Sequence, residues 1–245
     1  MSDAAALEVE RRRGRIVGVA ALLSVFTVWG TVIFANASNR GAAGALGARV
    51  DETKFDRAKQ LVEFHSAIDN QTIAAALRCV GLLLTIVVGL YLYSLVRARD
   101  PEVSRLVYWG ALAGPLLIVA ATVFGFFALR DVADTFVSSG PRSAERAREL
   151  ANGSRALNAA GAFDVLSRLA FGLWLALTSL QAMKVGLLTR FLGYWGAGAG
   201  GALVLLPVGD AMFIGWLASI GILALGWWPG GCPAAWRSLQ ALEAD

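Results

Sequence analysis

The feature that most restricts what this chain can fold into is its set of long uncharged runs. Between Ile73 and Val96 the only charge is Arg78, and between Leu106 and Leu129 there is none. A helix apolar on every face belongs either in the core of a large protein or in lipid. Lipid admits such a helix because its backbone satisfies its own hydrogen bonds. About 20 residues, rising about 1.5 Å each, cross a hydrocarbon core of about 30 Å. Six segments meet or approach that pattern: Ile16–Phe34, Ile73–Val96, Leu106–Leu129, Asn158–Met183, Phe191–Leu206 and Ala211–Trp228. The first four reach the length. The last two are shorter and flank Pro207–Val208–Gly209–Asp210, a hairpin turn by composition. They are expected to be two full spans, with a re-entrant pair as the alternative.

Composition agrees. Hydrophobic residues are 57% of the chain and charged residues 16%, against about 25% charged in an ordinary soluble domain; the mean hydropathy is +0.60. The expected fold is therefore an all-α integral membrane bundle of six transmembrane helices. It forms one domain over residues 1–245, with two structured extracytoplasmic loops at residues 35–72 and 130–157. The net charge of +4 does not imply nucleic acid, because no basic stripe with interleaved aromatics occurs. With two cysteines (Cys79 and Cys232) and the single histidine His65, no metal or cofactor is expected.

The basic residues orient the spans. Arg11–Arg15 precede the first, Arg97–Arg105 join the second and third, and Lys184 and Arg190 bracket the turn after the fourth. If six spans cross, these short segments share one side, which should be cytoplasmic. Tyr91, Tyr93, Tyr108, Trp109, Tyr194, Trp195, Trp227 and Trp228 fall at the same ends, as an interfacial belt requires. Both termini are then cytoplasmic. Arg11–Arg15, the apolar run and Ala35–Asn36–Ala37 also imitate a cleaved secretory signal. However, the run exceeds the usual h-region of about 7–15 residues, which favours an uncleaved anchor. In the first loop Phe55, Leu61, Val62 and Ile68 recur at helical spacing, predicting an amphipathic helix on the outer surface. SAERARELANG in the second loop reads as a short polar helix ending near Gly153.

Gly196, Gly198 and Gly201 spell the Gly-x-Gly-x-x-Gly of a dinucleotide cradle. That motif needs a preceding strand and an acid about 20 residues on, and Asp210 is too near. The same stretch places Gly196 four residues from Gly200, and Ala197 four from Gly201; Gly110 and Gly114 repeat the spacing. Small residues four apart let two helix backbones approach in lipid. Gly110, Gly114, Gly196, Gly200 and Gly201 are accordingly expected to pack against neighbouring helices.

The charges inside the spans carry the candidate site. Arg78 lies in the second span, and Asp164 and Arg168 in the fourth. A charge near a helix centre costs about 2.5–3.5 kcal/mol on insertion scales, so it must face the bundle interior, water or a partner. Asp164 and Arg168 are four apart on one face. Arg78 and Asp164 should lie at similar depth, with Asp210 at the outer turn. The four form a predicted polar cluster, either an outward-facing pocket for a small anion or polar solute, or an internal ion pair that fixes register. His65 is read as an interfacial residue.

The stretches RIVGVAALLS (Arg15–Ser24), FGLWLALTSLQAMKVGLLTRFLGYWG (Phe171–Gly196) and WPGG (Trp228–Gly231) resemble bacterial multi-span membrane proteins grouped as domain of unknown function number 4386, particularly actinobacterial members. The resemblance implies a bacterial plasma-membrane location and transfers no catalytic residue. Its specific part begins near Phe171. The leading expectation is a non-enzymatic protein of the lipid bilayer that binds a partner membrane protein, lipid or a homo-oligomeric copy through helix faces and outer loops. A small-solute transporter or binding protein using the charged cluster is the alternative. An intramembrane enzyme comes last, since no acid/base set accompanies the charges.

Overall fold

The computed structural model describes residues 3–38, 57–206, 208–229 and 231–238. Among them every regular element is helical: α1 (Asp3–Ser38), α2 (Arg57–Ser66), α3 (Ile68–Arg99), α4 (Arg105–Ser138), α5 (Ala144–Gly153), α6 (Arg155–Lys184), α7 (Arg190–Leu205), α8 (Gly209–Leu225), and a 3-10 turn at Ala234–Arg237. Leu7–Thr31 within α1, and α3, α4 and α6, are each long and apolar enough to cross a membrane. Their outward faces stay apolar: Phe26, Trp29 and Ile33 on α1, Val80, Leu83 and Val87 on α3, and Leu166, Leu169 and Leu173 on α6 are all exposed. An apolar exterior that extensive marks a surface made for lipid. The chain is a membrane protein.

The long helices and the two short ones close a ring. α1 packs on α3, α3 on α4, α4 on α6, α6 on α7, α7 on α8, and α8 returns to α1. α7 and α8 have 16 and 17 residues, roughly 24–26 Å at about 1.5 Å per residue. They fill the gap between α6 and α1 along only part of the height of their neighbours. Thr189 caps α7 by accepting from Leu192 N–H. α8 stops at Leu225 because Gly226 turns left-handed at φ 78°, so Trp227 and Trp228 lie beyond the helix.

One end of the ring gathers the basic segments. The Arg99 side chain is fully buried and pairs with Glu10 at 3.1 Å. It also donates to the carbonyls of Leu95, Ala235 and Ser238 at 2.7–3.1 Å. Lys184 pairs with Asp100 at 3.5 Å, and Trp236 donates its indole N–H to Leu187 O at 2.8 Å. The first turns of α1, the α3–α4 and α6–α7 connections and the C-terminal turn are thereby tied together.

The opposite end carries α2 and α5. Ala58, Leu61 and Phe64 of α2 meet Val132, Ala133 and Phe136 of α4 and Ala147 of α5 in a second small core. The apolar stripe expected to rest on a membrane surface is therefore buried against α4. α4 runs past its apolar segment to Ser138 and gives that stripe something to cover. Ile68 starts α3 instead of extending α2, and Phe55 lies outside the described residues. The short polar helix is α5, capped by the Ser143 hydroxyl accepting from Arg146 N–H. Of the two expected loops, the described parts are almost entirely helical.

Glycines set the ring's seams. A Cβ on Gly89 would stand 2.6 Å from Trp174 Cζ2, and one on Gly110 2.7 Å from Trp174 Cδ1, so α3 and α4 both recess to seat that indole. Gly114 makes room for Phe171 in the same way. Gly196 abuts Ser179 and Trp216, while Gly200 and Gly172 bring the α7 and α6 backbones into direct contact. Helices approach this closely in membranes where neither carries a side chain at the crossing. Gly201 corrects the expectation: it is exposed and has nothing within 4 Å of a would-be Cβ, because one residue turns the helix about 100° away from the seam. The dinucleotide motif is ordinary helix throughout.

Gly200→Leu should cost about 3 kcal/mol or more through overpacking at this crossing, whereas Gly201→Leu should leave stability unchanged. Melting midpoints of the two purified variants, followed by intrinsic tryptophan fluorescence in one detergent, provide the comparison.

Candidate functional site: a chamber above a charged floor

Toward the α2/α5 end the ring widens into an open chamber of about 730 Å³. Three helices wall it with the same spacing. α3 contributes Gln71, Ala74, Ala75 and Arg78; α4 contributes Thr122, Gly125, Phe126 and Leu129; α6 contributes Leu157, Ala160, Gly161 and Asp164. Each set contains the i, i+3 or i+4, i+7 run of one helix face, which Ala121 on α4 and Asn158 and Ala162 on α6 broaden. α1 adds Thr31, and the rim is α2's Arg57 with α5's Asn152. The Arg57 guanidinium donates to Asn152 Oδ1 at 3.4 Å, and Asn158 Nδ2 donates to Asn152 O at 3.0 Å. Neither α7 nor α8 contributes a lining residue among the described residues.

Space in the chamber is real at two walls. Gly125 and Gly161 have nothing within 4 Å of a would-be Cβ. These glycines differ from the seam glycines: they leave the cavity wide instead of drawing helices together.

Of the four predicted charges, Arg78 and Asp164 line the chamber, Arg78 and Asp210 line the smaller cavity beneath it, and Arg168 links the two acids. Arg168 Nε donates to Asp164 Oδ2 at 2.8 Å, and its Nη1 lies 3.6 Å from Asp210 Oδ1. One guanidinium thus serves two carboxylates and joins α6 to α8. Asp210 sits in the first turn of α8, not in the preceding turn, where the helix dipole favours an acid. Arg78 is different. It is half-buried, and it has no ion pair or hydrogen-bond partner among the described residues. It lines both the chamber and a cavity of about 70 Å³ beneath, which Asp210 and the apolar side chains Leu82, Phe171 and Phe213 also line. Phe171 and Phe213 meet edge to face, with centroids 5.0 Å apart, and close the ring axis below the charges.

This arrangement can bind. A guanidinium offers five N–H donors and accepts nothing, so an unpaired one in a recess calls for oxygen acceptors, best of all a carboxylate or phosphate. The carboxylates of Asp164 and Asp210 are already engaged by Arg168. The reading of the sequence found the four charges but not the walls, since Gln71, Ala74, Ala75, Gly125, Ala160 and Gly161 are small or neutral. Their common spacing on three helices was the available signal. His65 lies apart from the chamber floor, with Nδ1 2.8 Å from Asp134 Oδ1, and joins α2 to α4.

A family model described as "Domain of unknown function (DUF4386)" matches residues 16–228. No curated protein and no solved structure matches the chain.

Arg168→Gln should destabilise the protein by roughly 1–3 kcal/mol. That is less than the 3–5 of a fully buried pair, because both carboxylates are more than a third exposed. Adding Asp164→Asn and Asp210→Asn should recover part of the loss. Thermal melts of the single, double and triple variants in a mutant cycle measure it.

Proposed function

The chain belongs to the DUF4386 family, and from that premise we propose that it is a six-span plasma-membrane protein whose chamber binds a small molecule bearing a carboxylate or phosphate. In this reading the α2/α5 end and the chamber face outward, and both termini lie in the cytoplasm. The observation that carries it is Arg78, without a partner among the described residues, in a chamber of about 730 Å³, within the usual range of about 300–1,000 Å³ for ligand sites.

The orientation is supported by the Arg99 end, where the short basic connections collect, as the positive-inside rule asks of a cytoplasmic face. The short α7 and α8 cross the ring as a hairpin, and their turn lies level with the charged floor. Crossing at that depth is compatible with a locally thinned or tilted bilayer.

The competing reading is binding of a second copy or a partner through glycine-lined helix faces. Gly110, Gly114, Gly196 and Gly200 are occupied by neighbours within the same chain, which leaves the exposed Gly201 of α7 as the glycine open to a partner among the five.

Water access provides the test. In a chain carrying Cys79→Ser and Cys232→Ser, Gly161→Cys should react with a membrane-impermeant maleimide in intact cells. Its rate should be about tenfold or more above that of Ser167→Cys, since thiol reactivity follows exposure and Ser167 is fully buried. Labelling only in inverted vesicles would reverse the orientation. Protection in both would mean that no chamber opens to water, and the binding reading would fall.

A further inference from the structure

The chamber lacks one wall, and what stands in its place is apolar. In the ring, α7 and α8 occupy the sector between α6 and α1, yet neither lines the chamber among the described residues. Their hairpin ends at the level of the charged floor, fixed there by the pair between Arg168 and Asp210, 3.6 Å apart. Above it, among the described residues, the sector has no helix. The sill of this gap is Leu205, Leu206 and Val208, 79%, 54% and 54% exposed. The flanking face of α1 adds Trp29 and Ile33, also exposed. A doorway for a water-borne solute would not be rimmed by leucines; one facing lipid would be.

Resting on the binding reading above, we infer that this gap is a lateral portal and that the chamber's ligand is an anionic amphiphile taken from the surrounding leaflet. Its carboxylate or phosphate head sits against Arg78, and its hydrocarbon tail passes over Leu206 and Val208 into the membrane. The lining residues suit this division. Arg78 and Asp210 line the same small cavity, so the unpaired guanidinium lies just inside the sill where α8 begins. The Asp210 carboxylate at that threshold is held by Arg168, which it shares with Asp164. The chamber's walls next to Arg78 are small and apolar, with Ala74, Ala75 and Gly161 on two facing helices. They accept the first methylenes of a tail or a glycerol-like linker without losing polar contacts. Charge in the apolar zone costs least when a cation and an anion desolvate together with their hydrogen bonds made. An amphiphile's head, already held at the interface, meets Arg78 at that depth.

The experiment separates the head from the tail. The full chain in nanodiscs of phosphatidylcholine is melted, with tryptophan fluorescence as the signal, in the presence of either dodecyl phosphate or inorganic phosphate. Dodecyl phosphate should raise the midpoint by a few degrees and saturably, as a ligand selective for the native state does. Inorganic phosphate at the same concentration should not. The shift should vanish in Arg78→Gln. It should also vanish in Gly161→Leu, which fills open space and displaces no neighbour. It should weaken about tenfold in apparent affinity in Leu206→Glu, which puts a like charge and a polar group on the sill.

Equal shifts from both probes would mean a free oxyanion ligand: the portal falls and the binding reading stands. A dodecyl phosphate shift that survives Arg78→Gln and Gly161→Leu would come from the lipid belt and overturn the inference. An unaffected Leu206→Glu would mean entry from the aqueous end, which also overturns it. No shift from either probe removes the portal and the binding reading together.

Discussion

The close approach of α6 and α7 at Gly172 and Gly200 is the constraint from which the rest of the architecture follows. With any side chain at either position the two backbones would stand apart. Because they touch, the α7–α8 hairpin seats deeply against α6, and its turn is carried to the level of Arg168. Asp210, opening α8, then reaches the guanidinium already held by Asp164. The same seating lets α8 return to α1, where Gly18 and Gly221 face each other across a second narrow seam. Among the described residues the ring is closed below the charges and lacks a sector above them. Chamber, floor and sill are thus consequences of one helix crossing and two short helices.

The residues differ in how much of this they disclose. Long apolar runs specify membrane helices because hydrocarbon leaves the backbone no alternative, and all six segments are helical at close to their expected places. The four charges were legible for the same reason: each is costly in lipid and has to face inward. The chamber walls were not, because absence of bulk has no period of its own. A glycine that admits a neighbouring indole, such as Gly110, and one that leaves open space, such as Gly161, are the same letter. Gly196, Gly200 and Gly201 share one motif, yet only the first two face the seam, since a rotation of about 100° per residue separates them. The surface helix was correctly placed and wrongly partnered, because the reach of α4 past Leu129 into polar sequence is decided by the core it shares with α2 and α5.

α3 carries its own control for the meaning of an unpaired arginine. At one end Arg99 is fully buried and surrounded by acceptors: Glu10, and the carbonyls of Leu95, Ala235 and Ser238. The fold evidently satisfies a desolvated guanidinium where nothing else is required of it, and gathers both terminal segments to do so. Near the other end of the same helix Arg78 meets no such provision, although two carboxylates lie around the same floor. Both are drawn to Arg168 instead.

That allocation argues against a purely structural role for the cluster. An internal ion pair that fixes register between α6 and α8 is made by Arg168, Asp164 and Asp210, and takes no hydrogen bond from Arg78 among the described residues. Placing Arg78 in the apolar segment of α3 costs about 2.5–3.5 kcal/mol on insertion scales unless water or a partner receives it. The chamber offers open volume that keeps the guanidinium hydrated while empty, beside the acidic side chains of Asp164 and Asp210 that Arg168 already holds. A site meant only to hold helices together would have spent its donors inside the fold, as Arg99 does. Arg78 keeps its donors facing a cavity beside a lipid-like sill, the arrangement that a membrane-borne acid would complete.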